Sequence, residues 1–216
     1  MARIDDFRQA RAFSKKGLSE KGPEDIAGLS GAMIKTNEKG VRALSLRFLN
    51  MDVKISWPDM EFSYEGLSEE VPIQQQVLLL HYLNGACASN GAAITGEWAS
   101  FQDIPDGRFY MDAFIKRAKG PLLRAFGNNP RRMVDLSTSA FGASPLDIGD
   151  FSVKVQALPL APVALVLWQG DEEFPAEGNI LFDKNISMIL SAEDIAWLAG
   201  MVVYDLIGMD KERRKV

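Results

Sequence analysis

Three short runs between residues 42 and 65 alternate apolar and polar side chains, and this alternation constrains the fold more tightly than any other feature of the chain. Leu44, Leu46 and Phe48 alternate with Ser45 and Arg47. Val53, Ile55 and Trp57 alternate with Asp52, Lys54 and Ser56. Phe62 and Tyr64 alternate with Glu61, Ser63 and Glu65. A period of two puts each apolar set on one face of an extended strand. Asn50-Met51 and Pro58-Asp59 supply turn chemistry between the runs. The spacing predicts a three-stranded antiparallel meander with Leu46, Val53, Ile55 and Phe62 toward the core and Lys54 outward. A slip of one residue would expose the whole apolar set.

A second β unit is expected over 151–183. Phe151, Val153, Val155 and Ala157 alternate with Ser152, Lys154 and Gln156. Val163–Trp168 is continuously apolar, as suits a central strand covered on both faces. Asn179–Phe182 supplies a third, short strand. Between the two β units the pattern turns helical. Residues 70–88 are apolar nearly all round, the mark of a buried helix. Gly91–Trp98 reads as a short strand. Helical pieces at 108–120 and 121–126 are expected to split at Gly120-Pro121. A helix over Pro130–Phe141 has Asn129 as its cap and Gly142 as its stop. Ser191 and Asp194 form a capping box before a last helix striped by Ile195, Leu198, Val202 and Leu206.

Strands, helices, strands and a helix in that order imply α+β rather than a doubly wound parallel sheet. The expected architecture is antiparallel sheet built from two three-stranded meanders, about 42–65 and 151–183, with helices packed against it. The 216 residues suit a single domain over 1–216, with the charged tail 210–216 disordered.

A net charge of −5 argues against a nucleic-acid partner, which needs a basic footprint. The longest apolar stretch, Ala157–Trp168, is interrupted by Pro159 and Pro162 and is too short for a membrane span. Met1–Phe13 alternates charges and has no apolar signal region, so a cytoplasmic location is expected. Cys87, the one cysteine, excludes an intrachain disulfide and a thiolate cluster.

No Walker loop, nucleophile elbow or zinc-protease motif is present. Weaker constellations remain. The loop from Trp168 to Asp183 holds Asp171, Glu172, Glu173, Glu177 and Asp183, hard oxygen ligands suited to magnesium or calcium. The same acids suit a solvated hairpin loop. Of these, Asp171 and Asp183 are expected to turn inward and be satisfied by backbone N–H or arginine, and Glu172 and Glu177 to face water. His81, the only histidine, lies on the buried helix beside Ile73 and Val77. It fits a general base or an axial ligand, and equally a buried imidazole bonded to backbone. Between Ala113 and Val134 there are six basic residues and no acid. Asn129, Arg131 and Arg132 sit at a helix start, where an anion is favoured; arginines on an outer helix face produce the same pattern. Trp98, Phe101, Phe109 and Tyr110 crowd a loop-rich span, as pocket lining or as core.

Leu80-His81-Tyr82-Leu83, Gly96-Glu97-Trp98-Ala99-Ser100-Phe101, Pro105-Asp106-Gly107, Phe126-Gly127, Gly149-Asp150, Trp168 to Pro175, Leu181-Phe182-Asp183 and Glu193-Asp194-Ile195-Ala196 make the chain familiar. From about residue 24 to 207 it resembles the family known as domain of unknown function 3786, found largely in anaerobic bacteria and archaea. The resemblance implies no activity. Some relatives look fused to a four-cysteine iron–sulfur module; this chain has one cysteine, so no cluster carries over.

The expected function is that of a non-catalytic ligand-binding or accessory protein of anaerobic metabolism. Its small-molecule pocket would be bounded by His81, Trp98, Trp168 and the acidic loop. A rival class is a divalent-metal hydrolase, with Asp171, Glu172 and Asp183 holding the cation and His81 as base. A third is an interaction subunit, a homodimer or one docking a protein partner through a strand edge. The residues single out no cofactor.

Overall fold

The alternating run at 42–65 forms the strands its period predicts. In the computed structural model, residues 4–36 and 40–213 are described, and the chain divides into two compact units. One takes the chain up to Ala93 with Leu158–Leu160 and Met188–Leu190. The other takes Ile94–Ala157, Ala161–Ser187 and the chain from Ser191 onward.

The first unit holds helices α1 (Ile4–Leu18), α2 (Pro23–Ser30) and α3 (Ile73–Ala88), and strands β1 (Met33–Thr36), β2 (Arg42–Phe48), β3 (Met51–Ser56) and β4 (Phe62–Tyr64). The sheet runs β1-β2-β3-β4, antiparallel throughout. Leu46, Val53 and Ile55 are buried and Lys54 is exposed. Phe62 lies opposite Ile55 but is only half-buried, because β4 is an edge strand.

The expected meander gains a strand, β1, from a segment whose sequence reads as charged and helical. All four β1 residues are exposed, so no face imposes the alternation by which a strand is recognised. The polar face of β2 is also partly covered: Ser45 is buried and its hydroxyl donates to Glu65 Oε1 at 2.9 Å. Glu65 in turn receives Lys35 Nζ at 2.5 Å. A buried hydroxyl with a charged acceptor costs little, so the alternation can lapse there.

The buried helix appears at Ile73–Ala88, with α1 and α2 against it. Tyr82 is fully buried at its centre. Its hydroxyl donates to the Ser30 carbonyl at 2.6 Å and accepts from Leu160 N–H at 3.0 Å. Burial pushes the phenol pKa up, with the Leu160 bond acting weakly against it. Tyr82 therefore stays a neutral strut.

The second unit holds β5 (Trp98–Ser100), α4 (Met111–Phe114), a π-helical turn (Ile115–Lys119), α5 (Gly120–Phe126), α6 (Pro130–Phe141), β6 (Ser144–Pro145), β7 (Phe151–Leu158), β8 (Ala161–Trp168), β9 (Glu177–Asp183) and α7 (Ala192–Arg213). Its sheet runs β5-β9-β8-β7-β6. As its continuous apolar run requires, β8 is central, and Ala161–Leu167 is buried without interruption. The two predicted strand triplets thus belong to separate sheets, of four and five strands. Among the described residues no helix is long and apolar enough to cross a membrane.

Three local expectations need correction. Gly91–Glu97 is not a strand; β5 begins only at Trp98, because the N–H groups of Thr95 and Gly96 bond a carboxylate instead of a neighbouring strand. The helix does not split at Gly120-Pro121. Proline lacks a backbone donor, and a π turn ahead of it absorbs the mismatch, with Gly120 N–H reaching back to the Ile115 carbonyl. The charged tail is not disordered through Arg213. α7 continues to that residue, and Asp210, one step past Leu206 on the predicted stripe, is buried and paired with Arg132. Residues 214–216 lie outside the described residues.

The glycines Gly85 and Gly208 give opposite expectations from the same exchange. Both lie inside helices, where alanine is favoured by about 0.5–1 kcal/mol. A Cβ at Gly85 would fall inside the envelope of the Ile189 carbonyl oxygen, whereas nothing lies within 4 Å of one at Gly208. In denaturant titrations Gly208→Ala is expected to stabilise, and Gly85→Ala to destabilise by about 1–3 kcal/mol despite its better propensity.

Candidate functional site

Asp183 ends β9 with no exposed surface, and its carboxylate is fully committed. Oδ1 accepts from Thr95 N–H at 2.9 Å, the Thr95 hydroxyl at 2.8 Å and Asn185 N–H at 3.1 Å. Oδ2 accepts from Gly96 N–H at 2.7 Å. Burial by itself would raise this pKa; the four donors outweigh it and hold the carboxyl below the ordinary range. Asp183 thus folds the 94–97 segment over the end of β9. It turns inward onto backbone donors as its sequence context suggests.

Asp171 is satisfied in the same chemical way but does not turn inward. It is exposed, and its Oδ1 accepts from the N–H groups of Glu173 and Phe174, both at 2.8 Å. Those bonds, Phe174 first, lower its pKa. Asp171 N–H donates to the Phe174 carbonyl at 2.9 Å, which closes the loop on itself. Glu172 and Glu177 are exposed, as expected.

The acidic residues do not converge. Asp171 and Glu172 lie beyond one end of β9 and Asp183 at the other, with the strand Glu177–Asp183 between them, about 20 Å at ~3.3 Å per residue. Among the described residues no three histidine, cysteine or acidic side chains form a group able to hold a metal ion. The same strand separates the tryptophans. Trp98 pairs with Asp183 and Trp168 with Glu177, so they cannot bound one small pocket. Trp168 caps a stitch of its own. Gln169 N–H donates to Asp150 Oδ2 at 2.8 Å, and a Cβ at Gly149 would meet Val166 at 2.8 Å and the Trp168 indole at 3.1 Å. Gly149-Asp150 and Trp168-Gln169, far apart in sequence, meet there. His81 belongs to the first unit, on α3, and is half-buried rather than enclosed. Cys87 is buried, and burial raises its thiol pKa. It behaves as the small apolar residue its surroundings predict.

Of the six residues of the basic stretch, Arg131 and Arg132 lie at one cavity. Asn129 caps α6, its Oδ1 accepting from Arg132 N–H at 3.3 Å, and Pro130 occupies the first helical position. Asn129, Arg131, Arg132, Asp135, Leu136 and Arg213 line a cavity of about 460 Å³. The Arg132 guanidinium is half-buried and ion-paired with the buried Asp210 carboxylate. That pairing makes Arg132 structural. Arg131 is exposed at the helix start, and Arg213 Nη2 donates to the Ser139 hydroxyl at 2.9 Å. Arg131 and Arg213 therefore outweigh the one carboxylate in the wall, Asp135. Asp210 and Arg213 are the functional residues that sequence reasoning missed. The signal was the α7 stripe, whose i, i+4 step from Leu206 reaches Asp210 and makes an acid on a buried face need a cation.

The family described as domain of unknown function (DUF3786) matches residues 22–205. No curated protein and no solved structure matches the chain.

Substitutions separate the two aspartates. Asp183→Asn replaces one acceptor oxygen by an amide that faces N–H donors, and is expected to cost about 1–3 kcal/mol. Asp171→Asn, on an exposed loop, is expected to shift the thermal midpoint far less, and Glu177→Gln hardly at all. Because the folded pKa of Asp183 is depressed, its contribution is complete above the unfolded value near ~3.9 and is lost as pH falls below it. Thermal melts from pH 6 down to pH 3 should therefore show the gap between wild type and Asp183→Asn narrowing below about pH 4.

Proposed function

The chain belongs to the DUF3786 family, and because that membership carries no activity, we propose from its geometry that it is a non-catalytic binding protein for a small anionic ligand. The observation that carries this reading is the cavity at the start of α6, where Arg131 and Arg213 meet the first turn of a twelve-residue helix. The helix dipole favours negative charge there, and guanidiniums supply planar donors for phosphate or carboxylate oxygens. Arginine stays protonated at any working pH, so the wall offers binding and orientation rather than proton transfer. An accessory role, presenting or storing an anionic metabolite in the cytoplasm, is the function such a site fits.

Inorganic phosphate is the simplest probe. Ligand that binds only the folded state raises its stability by about 2.7 kcal/mol at a hundred times Kd. The thermal midpoint of the wild type is expected to rise with added phosphate at constant ionic strength. Arg131→Glu, which removes an exposed side chain outside the Arg132–Asp210 pair, is expected to abolish the rise while leaving the ligand-free midpoint nearly unchanged. A wild type indifferent to phosphate, or an undiminished rise in Arg131→Glu, overturns the reading.

A further inference from the structure

Charges of both signs line the α6 cavity, and they alternate along one face of the helix. Arg131, Asp135 and Ser139 are spaced i, i+4, i+8 on α6, and all three are exposed. That spacing puts them in one row, each roughly 6 Å further along the axis. Arg213 Nη2 donates to the Ser139 hydroxyl at 2.9 Å, which brings that guanidinium to the third place in the row. Arg131, Asp135 and Arg213 all line the cavity. The wall therefore reads cation, anion, cation.

The other charge in the wall is already matched, since Arg132 is ion-paired with Asp210. Arg131 and Asp135 are not matched to each other. They are opposite charges one helical turn apart, yet among the described residues neither side chain has a hydrogen bond or an ion pair. Their order is one reason: along a helix an acid placed N-terminal to a base pairs better than the reverse. Both charges are thus left for a ligand.

The complement of such a wall is a molecule carrying anion, cation and anion, with a net charge of one minus. Phosphate or a plain dicarboxylate would satisfy the guanidiniums but bring negative charge against Asp135, and like charges in contact are costly. An ammonium between two carboxylates turns that repulsion into a third charge-assisted contact. The cavity, about 460 Å³, falls within the roughly 300–1,000 Å³ of small-molecule sites. Building on the reading of this cavity as an anion site, we propose that its ligand is an amino dicarboxylate of the glutamate class. Its carboxylates would lie on Arg131 and Arg213 and its ammonium on Asp135.

Isothermal titration of the full chain with L-glutamate and with glutarate, at constant ionic strength and neutral pH, tests this. Glutarate keeps both carboxylates and lacks the ammonium. The wild type is expected to bind glutamate at least about tenfold more tightly than glutarate. Asp135→Asn is expected to erase that preference, by weakening glutamate about tenfold while glutarate holds or tightens. Arg131→Glu should abolish binding of both. The glutamate-to-glutarate ratio is taken within one variant, so it stands even if a substitution lowers the folded fraction. Stabilisation by phosphate without a preference for glutamate over glutarate overturns the amino dicarboxylate and leaves the anion site in place. No response to phosphate, glutarate or glutamate overturns both. A preference that survives Asp135→Asn, or glutamate binding undiminished in Arg131→Glu, also overturns the proposal.

Discussion

A strand buried on both faces has no solvent side, and in the second unit everything follows from that condition at Ala161–Leu167. Neither face of β8 can be left to water: each fully buried valine or leucine there is worth about 1.5–3 kcal/mol relative to exposure. The strand must therefore be central, with partners on both edges. β9 and β7 supply them, and β5 and β6 extend the sheet outward. The π turn and α5 pack on β9, and α7 packs on α4, α5, α6 and the π turn. Their packing against one another fixes where the polar ends of those helices emerge. The α6 cavity lies at such a margin, where a buried scaffold stops and polar side chains begin.

Carboxylates hold the ends of this scaffold. Asp183, with no exposed surface, collects four donors, which ties the 94–97 segment to the last residue of β9. Asp150 performs a smaller version at Gln169, and Asp171 closes its own loop. The acids around β9, which by composition resemble a cation site, act mainly as acceptors for backbone N–H groups that leave the sheet. Each is spent locally, so their negative charges never need a common counter-ion.

Much of the fold was legible in the residues. The period-2 runs, the continuous run of β8, the all-round apolar helix α3 and the caps of α6 and α7 each report a local rule that tertiary packing obeyed. The misses share a cause. β1 carries no alternation because neither of its faces is covered. Gly91–Glu97 looks like a strand but gives its N–H groups to a carboxylate 87 residues away in Gly96 and 88 in Thr95. Gly120-Pro121 looks like a break because the compensating π turn has no sequence signature.

The candidate sites divide along the same line. Residue type placed Asn129 as the cap of α6 and Arg131 and Arg132 in its first turn without a structure, because capping acts over one turn. Trp98 and Trp168, expected to bound one pocket, pair with opposite ends of β9, because residue types in one loop say nothing of which end of a strand each will occupy. The amino-acid sequence by itself determined the strands and helices that bury a face, such as β2, β3, β8 and α3, since those are periodicities of a few residues. Only the tertiary structure decided that Asp210 comes to Arg132, that Arg213 joins the α6 cavity and that Gly120 N–H reaches the Ile115 carbonyl. Such contacts depend on how far each helix extends and how tightly it is wound. Those are settled by packing between elements distant in the chain.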